Sequence, residues 1–120
     1  MTAIASVYTA TFTFANGVLD EEFHRLDKVI AETAKTLPGY LGEEAWESAA
    51  TGLVSNVYYW SSLEALMQLI EHPAHLEVKK RQAEWLNGYH VVIGQVFCSY
   101  GDGQIHHPLA PARKSTGHAP

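Results

Sequence analysis

The sequence contains little cysteine and little positive charge. Its single cysteine, Cys98, has no partner within the 120 residues, so the chain cannot form an internal disulfide, which is usual for proteins of the reducing cytoplasm. Lys and Arg number 8 against 13 Asp and Glu, and the formal net charge is -5. Nucleic-acid-binding domains instead carry a basic patch or stripe. The composition therefore predicts a cytoplasmic protein that does not bind nucleic acid.

Long apolar runs and the short signatures of several enzyme classes are absent as well. No run approaches the ~20 apolar residues of a membrane-spanning helix. The first residues, MTAIASVYTATFTF, lack the basic region of a signal peptide. The sequence has no phosphate-binding glycine loop, dinucleotide fingerprint, Cys-x-x-Cys pair or nucleophile motif. We therefore expect no membrane association and none of the chemistries that those motifs support.

What the sequence does have is an alternation of strand-like and helix-like segments. Apolar residues make up 47%, enough for the core of one domain. Residues 4–14 are rich in β-branched and aromatic types, which is typical of a strand. Apolar residues then recur every three or four positions from Leu19 to Leu37. This spacing predicts an amphipathic helix, which Pro38-Gly39 ends.

The middle of the chain predicts an antiparallel hairpin. Two strand-like segments, residues 40–49 and 53–60, are separated by a short Thr-Gly turn. By simple alternation, Tyr40, Glu44 and Trp46 share one face of the first of these strands. A carboxylate beside aromatic rings could act as a base with a raised pKa, although strand carboxylates are more often exposed or paired.

The rest of the domain reads as a broken helix and a final strand. Ser61-Ser62 can cap a second helix, which kinks or restarts near Pro73 because proline lacks a backbone donor. A further helical segment over residues 74–87 is closed by Gly88, and residues 89–100 form the last strand. The order β-α-β-β-α-β predicts an α+β fold of the ferredoxin-like type, with a four-stranded antiparallel sheet and helices on one face.

The last strand is apolar on both of its faces, which usually means a covering layer on each side. The helices supply one layer, and nothing is left in the chain for the other. We therefore expect a homodimer in which the two sheets face each other. Residues 102–120, rich in Pro, Gly and His, lie beyond the domain of residues 1–101. Their composition predicts a flexible extension, which, where it is ordered, is expected to dock on its own or the partner subunit.

One stretch stands out as a candidate site. Asn56, Tyr58 and Trp60 share one face of the third strand because side chains alternate along a strand. An amide, a phenol and an indole on one surface can form the wall of a pocket for a flat, partly polar ligand. The alternative is that they are ordinary packing residues of a sheet buried on that face, with the Trp60 indole paired to a carbonyl.

Four segments resemble the antibiotic biosynthesis monooxygenase-like family of the dimeric α/β-barrel superfamily. They are PGYLG at 38–42, YYWSSLEAL at 58–66, HPAH at 72–75 and SYG at 99–101, and the resemblance covers residues 4–101. It implies a dimeric α/β barrel. It also implies one of two activities: cofactor-independent oxidation of phenols and anthrones to quinones with O2, or haem degradation.

The resemblance also distinguishes the two branches position by position. Asn56 and Trp60 match the Asn and Trp of the quinone-forming branch, whereas Leu66 and Lys79 stand where that branch carries Tyr and Arg. In the haem-degrading branch, the Asn, Trp and His positions fall on residues of other types. These are Tyr8, Leu69 and Lys79.

The resemblance therefore favours a small cofactor-independent monooxygenase acting on an electron-rich phenolic or polyketide-type ring. Its haem- or metal-binding alternative depends on His75 as a ligand, and a third alternative is a non-catalytic dimer module that binds a small ligand. His75 could instead be a general base or a residue of the helix restart, and Lys79 a solvated surface cation. The expected catalytic residues are Asn56, Trp60 and His75, the expected substrate-binding residues are Tyr58, Leu66, Lys79 and Tyr8, and no metal site is expected.

Overall fold

The structure is a computed structural model that describes residues 6–110. These residues form four strands and three helices. The strands are antiparallel and lie in the order β2-β3-β1-β4, with the helices on one face, so the predicted ferredoxin-like α+β fold is confirmed. The elements are β1 (Tyr8–Asn16), α1 (Glu21–Thr36), β2 (Tyr40–Glu47), β3 (Leu53–Trp60), α2 (Leu63–Ile70), α3 (Pro73–Trp85) and β4 (Leu86–Gln95).

Each helix begins at a side chain that caps it. The Asp20 carboxylate accepts the Phe23 backbone N–H at 2.9 Å, and the Ser62 hydroxyl accepts the Ala65 N–H at 3.2 Å. The predicted restart near Pro73 is a true helix boundary: Pro73 is the first residue of α3, where its missing N–H costs nothing. His72 caps this helix, because its Nδ1 accepts the Ala74 N–H at 3.0 Å.

The helix-facing side of the sheet carries two separate apolar clusters. The first cluster lies at the Phe14–Val54 end of the central strands, and the second lies at the Tyr8–Trp60 end. Ile30 of α1 packs against both. The buried members of the first cluster are Phe14, Phe23, Leu26, Ala74, Trp85 and Leu86, and those of the second are Ala34, Trp60, Ala65, Leu66 and Leu69.

A bulge in β2 changes which side chains face the helices. Tyr40 pairs with Trp60, but Gly42 pairs with Tyr59, so one residue is inserted at Leu41. A shift of one residue moves every following side chain to the other face. Tyr40 therefore lies on the helix side with Glu43, and the prediction that Tyr40 shares a face with Glu44 and Trp46 is wrong.

The last strand also differs from its predicted bounds. The helix before it ends at Trp85, and Gly88 lies inside β4 rather than closing the helix. Gly88 has a φ of +117° and sits opposite a register shift between Phe14 and Asn16, where a left-handed residue accommodates the irregular pairing. The strand starts early because Leu86 is buried in the first cluster, where it stabilises that end of the strand.

The helices cover β4 only in part. On the helix side Val91 is 45% exposed, and on the open side Val92 is 54% exposed. Two-sided burial of this strand therefore requires more than the described part of one chain.

None of the helices within residues 6–110 is long and apolar enough to cross a membrane.

Beyond β4, the C-terminal segment, residues 102–110, returns to the outer edge of β2. Pro108 lies directly over Gly42, where an added Cβ would be 2.7 Å from the proline Cβ. His107 lies over the open face of the sheet, with Nε2 3.4 Å from the Tyr59 hydroxyl and 3.4 Å from a Glu44 carboxylate oxygen. The part of the predicted extension from 111 to 120 lies outside the described residues.

Candidate functional site

Trp60 lies in the helix-facing core rather than on an open surface. It shares the face of Asn56 and Tyr58, as predicted, but it is 0% exposed. Its indole stacks on the Tyr58 ring at 6.3 Å between centroids, and the Tyr40 ring meets it edge-on at 5.7 Å. Leu66 and Leu69 of α2 fill the same cluster. In this conformation the Trp60 ring has no free face on which a substrate could stack.

The Trp60 indole nevertheless leaves one polar atom unsatisfied. Its Nε1 is fully enclosed and donates to no acceptor among residues 6–110. A buried N–H without a partner costs about 1–3 kcal/mol. A small polar atom, such as a water oxygen, would be favoured beside it. Trp60 is therefore a packing residue whose indole N–H has no hydrogen-bond acceptor among the described residues.

Asn56 occupies the gap between the two apolar clusters. It pairs across the sheet with Phe12 of β1 and Ala45 of β2, and it is a buried member of neither cluster. The side chain is half-buried, and its carboxamide makes no hydrogen bond to another described residue. A free amide offers two donors and one acceptor. Asn56 can therefore hold an oxygen atom of a bound molecule.

Phenols and carboxylates gather next to Asn56, on the side towards β2. The Tyr40 hydroxyl donates to the Glu43 carboxylate at 2.8 Å. Burial raises the pKa of the Tyr58 phenol well above its usual range, and the negative charges of Glu43 and Asp27 raise it further. Tyr58 consequently stays protonated and can act as a hydrogen-bond donor. We call Tyr40, Glu43, Tyr58 and Asp27 the phenol–carboxylate cluster.

Asp27 is a member of this cluster that the sequence reasoning missed. It lies on α1 four residues after Phe23 and three before Ile30, and it is close enough to Tyr58 and Glu43 for the charges to interact. The side chain keeps contact with solvent, yet burial by the helix–sheet packing raises its pKa, and Glu43 adds to the effect while His24 opposes it. The available signal was an acid interrupting the apolar stripe of an amphipathic helix.

The remaining predicted residues lie on two other parts of the fold. Tyr8 packs against the second cluster directly across from Trp60, so it is a neighbour of the predicted site. His75 is half-buried in the first turns of α3, and Lys79 lies one turn further on and is exposed. Burial lowers the pKa of the His75 imidazole, and the Lys79 charge lowers it further.

The His75 ring is packed in on one side, because its Nδ1 is enclosed and has no hydrogen-bond partner among the described residues. Within residues 6–110 no three His, Cys, Asp or Glu side chains are grouped to hold a metal ion.

A hollow of about 480 Å³ lies elsewhere, between α1, the start of β2 and the C-terminal segment. No predicted site residue lines it, but its inner wall is formed by Tyr40 and Glu43 of the phenol–carboxylate cluster. The β2 bulge is the reason the sequence did not reveal this wall, because the bulge rotates Tyr40 and Glu43 onto the same face. The full lining is Ala31, Lys35, Tyr40, Leu41, Gly42, Glu43, His106, His107, Pro108 and Ala110.

No family model matches the sequence, and no curated protein matches it. Solved structures do match in fold. SnoaB from Streptomyces nogalater, a cofactor-independent oxygenase, has a TM-score of 0.61 at 12% identity, over 80% of this chain and 97% of that one. A Nitrosomonas europaea protein provisionally assigned as an antibiotic biosynthesis monooxygenase has a TM-score of 0.60 at 14% identity, over 81% and 95%. A ferredoxin-like DABB family protein from Mesorhizobium loti has a TM-score of 0.54 at 13% identity, over 74% and 95%.

These likenesses establish the fold and agree with the family resemblance seen in the sequence. At this level of identity they do not transfer residue roles, because one fold can carry many unrelated functions. The functional argument therefore depends on the geometry around Asn56.

Proposed function

We propose that the chain is a small oxygenase of the antibiotic biosynthesis monooxygenase type. It oxidises an electron-rich phenolic or polyketide-type aromatic substrate with O2 and uses no metal or organic cofactor. The observation that carries this proposal is a free amide, Asn56, on the same strand face as the half-buried Tyr58 phenol, which in turn lies near the carboxylates of Glu43 and Asp27. The fold shared with a cofactor-independent oxygenase supports it.

The chemistry needs a base, a dry site and a donor for a developing oxygen anion. A carboxylate, Asp27, accepts a proton from the substrate, either the hydroxyl proton of a phenol or a ring-methylene proton of an anthrone, and its raised pKa makes it a stronger base than an ordinary carboxylate. The electron-rich ring then reduces O2 and forms a carbon–oxygen bond. One oxygen atom stays on the ring as a quinone carbonyl, and the other leaves as water with two substrate hydrogens.

Asn56 and Tyr58 supply the hydrogen bonds in this scheme. The Asn56 amide donates to the peroxide oxygen as charge develops there, an effect that is strong in a water-poor site. Tyr58 donates its phenolic proton to a substrate oxygen. The second cluster packs behind these groups and includes Trp60, Leu66 and Tyr8. His75, which burial keeps neutral near pH 7, is a second possible base, with Lys79 beside it as an anion-attracting cation.

The test is oxygen uptake with anthrone and with 1-naphthol as substrates. We expect the wild type to consume O2 and to form the quinone, and Asn56→Ala to lose about 10²–10³ in kcat, as the loss of one oxyanion donor does elsewhere. Ser55→Ala is the matched control, since Ser55 is the neighbouring residue on the opposite face of β3. Equal rates in both variants would remove Asn56 from the mechanism.

We also propose that the working unit is a homodimer in which a second copy covers the open face of the sheet. Val92 and Trp46, which is 62% exposed, leave apolar surface on that face. Val92→Lys places a charge in the middle of the proposed interface, so we expect it to convert a dimer to a monomer in light scattering. A wild type that is monomeric at high concentration would contradict the proposal.

A second candidate function is a non-catalytic module that binds a small ligand. The specific observation that favours it is the complete filling of the second cluster around Trp60, which leaves no substrate-sized space there. Oxygen uptake separates the two functions: a module binds aromatic compounds without consuming O2, whatever substrate is offered.

A further inference from the structure

The hollow beside β2 is open to solvent and is bounded on one side by a segment that is fixed in place by specific contacts. The Leu109 N–H donates to Nδ1 of His107 at 3.0 Å, so the ring proton lies on Nε2, which faces Tyr59 and Glu44. The Tyr59 hydroxyl in turn donates to Glu44 at 2.7 Å. With Pro108 over Gly42, these contacts make the C-terminal segment a wall of the hollow.

The walls of the hollow carry opposite charges that do not neutralise each other. Lys35, in the last turn of α1, forms no ion pair with another described residue. Glu43, on the opposite wall, accepts a hydrogen bond from Tyr40 and does not reach Lys35. A molecule lying between them meets an ammonium at one end and a carboxylate with spare acceptor capacity at the other.

The space between these charges is lined by apolar groups. Leu41 and Pro108 flank it, and the side chains of Ala31 and Ala110 are too small to fill it. A volume of about 480 Å³ is in the range of small-molecule pockets, about 300–1,000 Å³. A single flat ring fits the shape better than a long chain, because the proline and the tyrosine ring present flat surfaces.

We infer that this hollow binds a small aromatic carboxylic acid that carries a ring hydroxyl. The acid group pairs with the Lys35 ammonium, the ring lies against Leu41 and Pro108, and the hydroxyl donates to the Glu43 carboxylate. Glu43 already accepts from one phenol, which shows that a neutral hydroxyl suits it. The inference goes beyond the proposed function, because binding in the hollow does not depend on oxygen chemistry.

The test is a calorimetric titration of the full chain with 4-hydroxybenzoate, benzoate, phenol and tyramine. The wild type is expected to bind 4-hydroxybenzoate at least about fivefold more tightly than benzoate or phenol, because only that probe engages both charged walls. Tighter binding of tyramine would overturn the ligand class, since it replaces the acid by an amine. Equal affinities, or no binding up to the solubility of the probes, would overturn the site.

Substitutions then test whether 4-hydroxybenzoate binds in the hollow. Lys35→Met should weaken 4-hydroxybenzoate at least about fivefold, whereas Lys28→Met, an exposed lysine of the same helix outside the hollow, should not. Glu43→Gln should abolish the preference for the hydroxyl. Gly42→Ala places a Cβ against Pro108 and should lower the affinity while both charged groups remain. Equal effects of Lys35→Met and Lys28→Met would exclude the hollow.

Failure of this inference is distinguishable from failure of the proposed function. Anthrone carries no acid group, so its oxidation tests the oxygenase without the hollow's charged walls. Oxygen uptake without 4-hydroxybenzoate binding removes the inference alone, and binding without oxygen uptake removes the proposed function alone.

Discussion

The second cluster around Trp60 and the hollow beside β2 share one aromatic residue, Tyr40, but differ in what occupies them. Around Trp60, large apolar side chains from α2 fill the space completely. Beside β2, small residues of α1 and β2 leave space, and a distant segment closes it. The comparison shows that prominent aromatics can build the scaffold, while less conspicuous charged residues such as Lys35 and Glu43 line the open space.

The largest effect expected from this comparison is on stability. Trp60→Ala removes a fully buried ring and should lower the free energy of unfolding by about 3–5 kcal/mol. Tyr100→Ala, at an aromatic residue that is 75% exposed and lies outside the sheet, should cost far less. Urea unfolding followed by circular dichroism measures both. Similar losses would mean that Trp60 is not the packing centre described above.

A smaller effect on stability, and one that is not a loss, is expected at Asn56. Because its amide is half-buried and unpaired among the described residues, Asn56→Leu should keep or raise the stability, by up to about 1 kcal/mol, while oxygen uptake is lost. The same urea transitions and an oxygen electrode check the two parts. A large loss of stability would instead make Asn56 a structural residue and weaken its proposed role.

The pH dependence at Asp27 is smaller still. Its pKa in the folded chain is raised above the usual 3.8, so the folded state holds this proton more tightly than the unfolded state. The associated stability is present below pH 3.8 and is lost as the pH rises through the folded-state value.

Asp27→Asn removes the loss of stability that accompanies ionisation of the Asp27 carboxyl. The variant should therefore gain stability relative to wild type between acid and neutral pH, by less than about 1 kcal/mol because the side chain keeps solvent contact. Paired urea transitions at several pH values measure the difference, with exposed Glu32→Gln as the control. A gain that does not change with pH would argue against a raised pKa at Asp27.

The smallest effect is expected for haem. Since the His75 ring is half-buried by its own chain and Lys79 places a positive charge beside it, added hemin should show no shift of its Soret band that His75→Ala abolishes. Absorption titration of both proteins checks this. A shift present in the wild type and absent in the variant would revive the haem-binding alternative.

Much of the fold was predictable because short-range chemistry sets it. The hairpin strand 53–60 has its predicted bounds, and Ser62 caps α2 as the sequence suggested. The shared face of Asn56, Tyr58 and Trp60 also follows from alternation alone. The prediction that Tyr40 shares a face with Glu44 and Trp46 was wrong because alternation assumes a regular strand. The bulge at Leu41 reverses the faces at the start of β2.

The candidate site was less predictable for a related reason. Sequence reasoning identified Asn56 and Tyr58 but could not tell that Trp60 is enclosed, because enclosure depends on how α2 docks on the sheet. It missed Asp27 because an acid that interrupts an apolar stripe can equally be an ordinary solvated helix residue. Whether a polar residue there meets water or other polar groups is decided by the neighbouring strand.

The sequence by itself determined the order of the elements, the caps at Asp20 and Ser62, and the helix boundary at Pro73. Each of these acts through atoms only a few residues apart. The tertiary structure alone decided that Glu43 faces the helices and that residues near Pro108 form a wall over Gly42. The first depends on the pairing of β2 with β3, and the second joins segments more than sixty residues apart in the chain, so neither is contained in a local pattern.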